Sequence, residues 1–243
     1  MTELSLLDAA TFQERLARIQ ERIAQACRRA GRNPHEVTLI GVTKTFPVQV
    51  VQLAYEAGLR HFGENRVQEL VAKASVLPGR IEGGNISWHM IGHLQRNKAK
   101  EVIAHADWLH SLENLRLAET LEQRAAQAER LLPCLVEVNV SGEPTKFGLP
   151  PEAVHPFLDE LARFEHLEIW GLMTLAAPTE DPETVRPQFR LLRHLAQTYN
   201  RRRNRRVQLR YLSMGMSGDF EVAIEEGATH VRIGSALFGP RIA

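Results

Sequence analysis

A lysine stands at the end of an apolar, β-branched run, Leu39-Ile40-Gly41-Val42-Thr43-Lys44-Thr45, set between Asn33-Pro34 and Phe46-Pro47. The run predicts a buried strand. An ammonium at the end of such a strand must find a partner, lose its proton or be covalently modified. A Schiff base between Lys44 and a carbonyl cofactor meets the last condition. A lysine whose stem packs while its head reaches water fits the same pattern.

Two further segments could hold the rest of such a cofactor. Ser213-Met214-Gly215-Met216-Ser217-Gly218 and Arg232-Ile233-Gly234-Ser235 are each an apolar run that breaks into glycine and serine. Glycines let a backbone approach an anion closely, and the Ser217 and Ser235 hydroxyls add donors. Taken alone, Ser217 is equally a helix N-cap and Gly234 a turn glycine. Two Gly/Ser mouths together with a buried lysine point to a phosphate-bearing carbonyl compound, a description that pyridoxal 5'-phosphate meets.

The elements that must position these residues alternate along the chain. A helix is expected over 8–30, where Phe12, Leu16, Ile19, Ile23 and Cys27 recur at three- and four-residue steps. Strands are expected over 39–45, 61–65, 87–92, 108–112, 135–140, 168–174, 208–214 and 229–234. Helical stretches separate them, beginning at Pro47, Val67, Asn97, Asn114, Pro150, Glu183 and Asp219. About eight strand–helix units in 243 residues predict a single-domain (β/α)8 TIM barrel over 1–243, with an extra N-terminal helix. A doubly wound open sheet is the alternative, but no Gly-rich fingerprint follows the first strand. In such a barrel the chemistry sits at the C-terminal strand ends. Lys44, Glu64, Asn65, His93, Thr174, Met214 and Arg232 all fall there or close by, and Asn65 and Met214 join the cofactor-binding candidates. The insert 77–84, rich in glycine, is expected on the opposite face, away from chemistry.

Bulk properties narrow the field. Hydrophobic residues make up 44% of the chain and charged residues 24%, with a net charge of +1, so nothing global calls for nucleic acid or an anionic membrane. Cys27 and Cys134 have no metal or redox spacing. With no signal peptide evident, a cytoplasmic location is expected. No apolar run is long enough to span a bilayer.

At this point the chain resembles a known family. The matching stretches are Val42-Thr43-Lys44-Thr45, His61-Phe62-Gly63-Glu64-Asn65, His89-Met90-Ile91-Gly92-His93-Leu94-Gln95 with Asn97-Lys98, and Val138-Asn139-Val140 through Lys146-Phe147-Gly148. They continue with Gly171-Leu172-Met173, Leu212-Ser213-Met214-Gly215-Met216-Ser217 and Val231-Arg232-Ile233-Gly234-Ser235-Ala236-Leu237-Phe238-Gly239. In that order they are similar to the YggS/PROSC family of pyridoxal phosphate homeostasis proteins, which resemble the N-terminal barrel domain of alanine racemase. The resemblance implies that Lys44 carries the cofactor, that Ser217, Gly234 and Ser235 hold its phosphate, and that Arg232 faces the pyridine nitrogen. An ion pair between Arg232 and Glu64 or another rim carboxylate is the competing reading. A permanent cation beside the ring nitrogen disfavours its protonation and weakens the ring as an electron sink. Alanine racemase has a second, β-rich domain that supplies a catalytic tyrosine from its partner subunit. Here the chain ends at Ala243, and Tyr55, Tyr199 and Tyr211 do not fall at strand ends. The expectation is reversible binding, buffering and delivery of the cofactor, transient contact with apo-enzymes, and no substantial turnover.

The alternatives are a true amino-acid racemase or lyase, and a scaffold that binds RNA or a protein through the basic turn 201–206. No aromatic residues interleave with that turn, which argues against nucleic acid. His89 and His93 have a helical metal spacing but fall on a strand and loop, so no metal is expected. Lys146 is either a second aldehyde acceptor or a solvated or phosphate-facing loop lysine. No exposed apolar stripe stands out, and a monomer is expected.

Overall fold

The computed structural model describes residues 7–79, 85–202 and 206–240. Eight parallel strands close into one barrel in sequence order. They are β1 (Thr38–Val42), β2 (His61–Glu64), β3 (Ser87–Met90), β4 (Trp108–Leu112), β5 (Leu132–Glu137), β6 (Leu167–Met173), β7 (Tyr211–Ser213) and β8 (His230–Ile233). Closure pairs β1 with β8, Thr38 opposite His230 and Ile40 opposite Arg232. The register shifts between Leu109 and Leu112 in the β4–β5 pair and between Cys134 and Leu135 in the β5–β6 pair.

Helices α1 (Ala9–Arg29), α2 (Val48–Glu56), α3 (Val67–Ala74), α4 (Ala99–His105), α5 (Leu115–Gln127), α6 (Val154–Leu161), α7 (Arg186–Asn200), α8 (Phe220–Glu225) and α9 (Ser235–Phe238) accompany the strands. Their starts follow local chemistry: Asp8 accepts from the Thr11 amide at α1, and Asn114 accepts from the Leu117 amide at α5. Gly58 and Gly227, with φ of +101° and +99°, close α2 and α8.

The extra helix α1 is as expected, and it packs on α8 and α9. Phe12 stacks on Phe238 at 5.5 Å, and Phe46 lies 5.6 Å from the same ring. Phe238 therefore ties α1 and the loop after Lys44 to the short helix that begins at Ser235. Gly41 makes room for this joint, since a Cβ there would sit 2.6 Å from Leu59 and 3.1 Å from Phe238. Each large apolar side chain buried in this way contributes on the order of 1.5–3 kcal/mol.

Several boundaries differ from the sequence expectation. β1 ends at Val42, so Lys44 sits in the turn beyond the strand and is half-buried rather than enclosed. β5 starts at Leu132 and runs through Pro133, because a proline near a strand start forfeits little of the ladder. β7 keeps only three residues of its expected run. α9 was not expected, being too short to show a helical period. Part of the 77–84 insert, residues 80–84, lies outside the described residues. Of the rest, Gly79 bridges to Ile86 ahead of β3, and Leu77 accepts a hydrogen bond from the Trp88 indole. Among the described residues, no helix is long and apolar enough to cross a membrane. Both cysteines are buried and unbonded, and burial pushes the Cys134 thiol far above its usual range.

Candidate functional site

Strand alternation sorts the residues around Lys44. Val42 and Lys44 face the barrel mouth, while Thr43 between them is fully buried behind the wall. There Thr43 Oγ1 donates to Glu64 Oε1 at 2.5 Å, and Lys73 Nζ donates to the Thr43 carbonyl and to Glu64 Oε1, each at 2.7 Å. On the other side of Lys44 the Thr45 amide donates to Glu69 Oε2 at 2.6 Å, and Lys73 lies 3.6 Å from the same carboxylate. The peptide groups flanking Lys44 are thus gripped by α3, while Glu64 at the end of β2 holds the Thr43 side chain. Burial raises the Glu64 carboxyl above its ordinary pKa, against the pull of Lys73 and Thr43. Glu64 Oε2 is buried without a hydrogen-bond partner among the described residues.

The loops after β7 and β8 meet through Ser217, whose hydroxyl accepts from the Ala236 amide at 3.4 Å. The N-cap of α8 is Asp219, not Ser217, and its carboxylate accepts from the Met216 amide at 2.5 Å. Gly215, at φ +93°, cannot be replaced without strain: a Cβ there would come within 2.6 Å of Ala223 and 2.9 Å of the Phe220 backbone.

Arg232 is buried at the base of this mouth. Its guanidinium donates to Ser213 Oγ at 2.5 Å and to the Thr174 carbonyl at 2.7 Å. Burial pushes its pKa down to about 10, opposed by the fields of Asp219 and Glu137. It stays cationic at neutral pH. The ion pair with Glu64 is not formed, because Glu64 is taken by Lys73. Glu137 is buried at the end of β5, and its carboxyl is pushed up to about 7, by burial first and then by the neighbouring Glu113 charge, with Arg232 opposing.

Six of the seven candidates, Lys44, Asn65, Ser217, Arg232, Gly234 and Ser235, line one cavity of about 310 Å3. Met214 does not. β7 turns Ser213 into the barrel, so Met214 points outward into the core, and Met216 lines the cavity in its place. The volume lies at the lower end of small-ligand sites, ~300–1,000 Å3. An amine, a permanent cation and two Gly/Ser loops around one space suit a small anionic aldehyde.

The other candidates lie apart from this cavity. His93 sits at the rim, 2.9 Å from Glu113 and stacked on Phe147, whereas His89 is inside the barrel. Lys146 Nζ contacts Glu143 at 2.8 Å and the Ala176 carbonyl at 3.2 Å. In the basic turn, 203–205 lie outside the described residues; Arg202 pairs with Asp159 and Arg206 with Glu165. No tyrosine lines the cavity: Tyr55 lies under Arg60, Tyr199 donates to Asp159, and Tyr211 packs on Trp108.

The family model of the alanine racemase N-terminal domain matches residues 15–241. The chain is 45% identical over 228 residues to the pyridoxal phosphate homeostasis protein of Aquifex aeolicus (strain VF5), covering 94% of this chain and 97% of that one. The chain belongs to the pyridoxal phosphate homeostasis protein family. Among solved structures, PipY of Synechococcus elongatus PCC7942 with PLP bound superposes with a TM-score of 0.80 at 35% identity, covering 94% of this chain and all of that one. Alanine racemase of Clostridium difficile 630 shares the fold at a TM-score of 0.67 and 15% identity, covering 92% of this chain and 60% of its own. Family motifs pointed to the rim residues but not to Lys73, His110 or Glu137. The available signal for Lys73 was its place three residues after Leu70, on the apolar face of α3.

Proposed function

We propose that the protein binds pyridoxal 5'-phosphate (PLP) reversibly in this cavity and serves PLP homeostasis, holding the cofactor and passing it to apo-enzymes without substantial turnover. In this reading Lys44 is the attachment point. Ser217, Gly234 and Ser235 hold the phosphate, Arg232 addresses the pyridine edge and Asn65 lines the wall. When bound, the cofactor supplies an aldehyde that attaches reversibly to an amine.

The observation that carries the reading is the convergence of Lys44, Arg232 and both Gly/Ser loops on one space. Arg232 adds direction. Its hydrogen-bond acceptors, a hydroxyl and a carbonyl, are neutral, so no bonded carboxylate pairs with its charge, and only the more distant fields of Asp219 and Glu137 oppose it. A guanidinium there would donate a hydrogen bond to the ring nitrogen and resist a proton on it, which suits holding over carbanion chemistry. The lack of a cavity tyrosine among the described residues supports the same side against a racemase or lyase.

The purified protein is expected to be yellow, with a visible band that Lys44→Ala abolishes. A colourless protein that ignores added PLP sinks the proposal. With L- or D-alanine, turnover approaching the lower end of the usual enzyme range, ~1 s⁻¹, overturns the non-catalytic part. Transfer of labelled PLP to an apo-enzyme in the presence of an aldehyde trap tests direct delivery.

A further inference from the structure

The hydrogen bonds behind Arg232 continue through the barrel interior. Ser213 Oγ lies 3.0 Å from His110 Nδ1, His110 Nε2 lies 3.0 Å from His89 Nδ1, and His89 Nε2 lies 3.0 Å from His61 Nδ1. These residues belong to β7, β4, β3 and β2. The row runs from the buried guanidinium to half-buried His61 at the N-terminal end of β2.

The direction of the row follows from its upper end. A guanidinium can only donate, so Ser213 Oγ accepts from Arg232. The hydroxyl hydrogen then turns away from the cation, toward His110 Nδ1. In the opposite direction the Ser213 hydroxyl hydrogen would lose its acceptor at His110, and an imidazole N–H dipole would oppose the guanidinium. With Nδ1 of His110 accepting, its proton is on Nε2 and is donated to His89 Nδ1. By the same rule His89 carries its proton on Nε2 and donates to His61 Nδ1. With its Nδ1 engaged as acceptor, His110 takes no second proton while the row is intact.

The surroundings agree. His110 is held well below its ordinary pKa by burial first, then by His230, Arg232 and His61. His230, which packs near His89 and His110, is pushed down to about 3. Trp108 flanks the same rings.

We propose that His110 and Ser213 are positioning residues for Arg232, offering its guanidinium a neutral acceptor of fixed hydrogen direction, with His89 and His61 fixing that direction from behind. The functional consequence rests on the reading that the cavity takes PLP with its ring edge toward Arg232; the proton positions do not.

Nitrogen-15 NMR of histidine rings in the unchanged, cofactor-free protein tests the row directly. His61, His89 and His110 are expected as Nε2–H tautomers, with His89 and His110 not titrating between about pH 6 and 8. An Nδ1–H tautomer or an imidazolium at His110 overturns the proposal, and this readout needs no variant to fold. PLP release from the loaded protein is the second arm. Ser213→Ala and His110→Leu are expected to release it about three- to tenfold faster, the scale of one neutral hydrogen bond. His110→Asn, which keeps an acceptor near the Nδ1 position, is expected within about twofold of the unchanged protein. Equal release from all three overturns the positioning role. If the expected tautomers are found in a protein that takes up no PLP, the functional reading has failed and the row stands.

Discussion

Lys44, just beyond β1, and Arg232, on the adjacent β8, line the same cavity, yet the protein supports them in opposite ways. Behind Lys44 lies a charged cluster, in which Lys73 bridges Glu64 and Glu69: Lys73 holds the Thr43 carbonyl, Glu69 the Thr45 amide and Glu64 the Thr43 hydroxyl. Behind Arg232 lies a neutral one, a hydroxyl, a carbonyl and a row of imidazoles. On the proposed function the difference matches two tasks. A reacting amine needs its backbone fixed, and strong charge-assisted bonds to the flanking peptides do this. A cation that must stay unneutralised needs acceptors without charge, because a hydrogen-bonded carboxylate would cancel its field.

The comparison breaks most readily at Lys73. Lys73→Met strands the buried Glu64 carboxylate and is expected to destabilise the protein by about 3–5 kcal/mol in urea unfolding. Adding Glu64→Gln removes the stranded charge and should recover roughly half of that, by the same reasoning. On the neutral side, Ser213→Ala removes one uncharged acceptor of the buried guanidinium and is expected to cost less, about 1.5–3 kcal/mol. Equal losses at the two places would mean that the charged and neutral supports are not different in kind.

Glu137 sharpens the contrast, because it is the carboxylate whose field reaches Arg232 from β5. Its pKa is raised in the folded state to about 7, from an ordinary 4.5. Between those values the folded protein holds a proton that the unfolded chain has lost, so stability falls as pH rises through this window. Glu137→Gln removes the penalty. The variant should match the parent near pH 4.5 and exceed it by about 1–3 kcal/mol at pH 8. Arg232→Gln should then move the Glu137 titration further upward, as followed by carboxyl carbon-13 shifts, since the opposing cation is gone. A Glu137 that titrates in the ordinary carboxylate range would remove this link between β5 and β8.

Much of this was legible in the sequence, for physical reasons. The barrel follows from alternating apolar runs and amphipathic stretches, and the latter show their period best where they are long, as in α1 and α5. Lys44 stood out because a cation in a β-branched run is anomalous, and the rim loops because glycine and serine recur at two strand ends. What stayed hidden depends on register. Whether His61, His89 and His110 meet is decided by pairings such as His61 with Ser87 and His89 with Trp108, which only barrel closure sets. Met214 was misplaced for the same reason: one residue of strand phase sends it into the core. Lys73 shows in the sequence only as a position on the apolar face of α3; that Glu64 lies beneath it is set by the packing of α3 on the barrel.

The smallest expected effect concerns the turn itself. Thr45 has φ +69°, a left-handed conformation that is unusual for a β-branched side chain. Its cost is about 1–3 kcal/mol, and the Glu69 bond to its amide helps to hold it. Thr45→Gly relieves the strain and keeps the amide, while the freer unfolded chain takes back roughly 0.5–1 kcal/mol. A net gain of about 0.5–1 kcal/mol in urea unfolding is therefore expected, with PLP release unchanged. If release quickens although stability rises, the Thr45 side chain restrains Lys44 directly. The charged cluster would then be only part of what fixes the amine, and the contrast with Arg232 would narrow to its backbone.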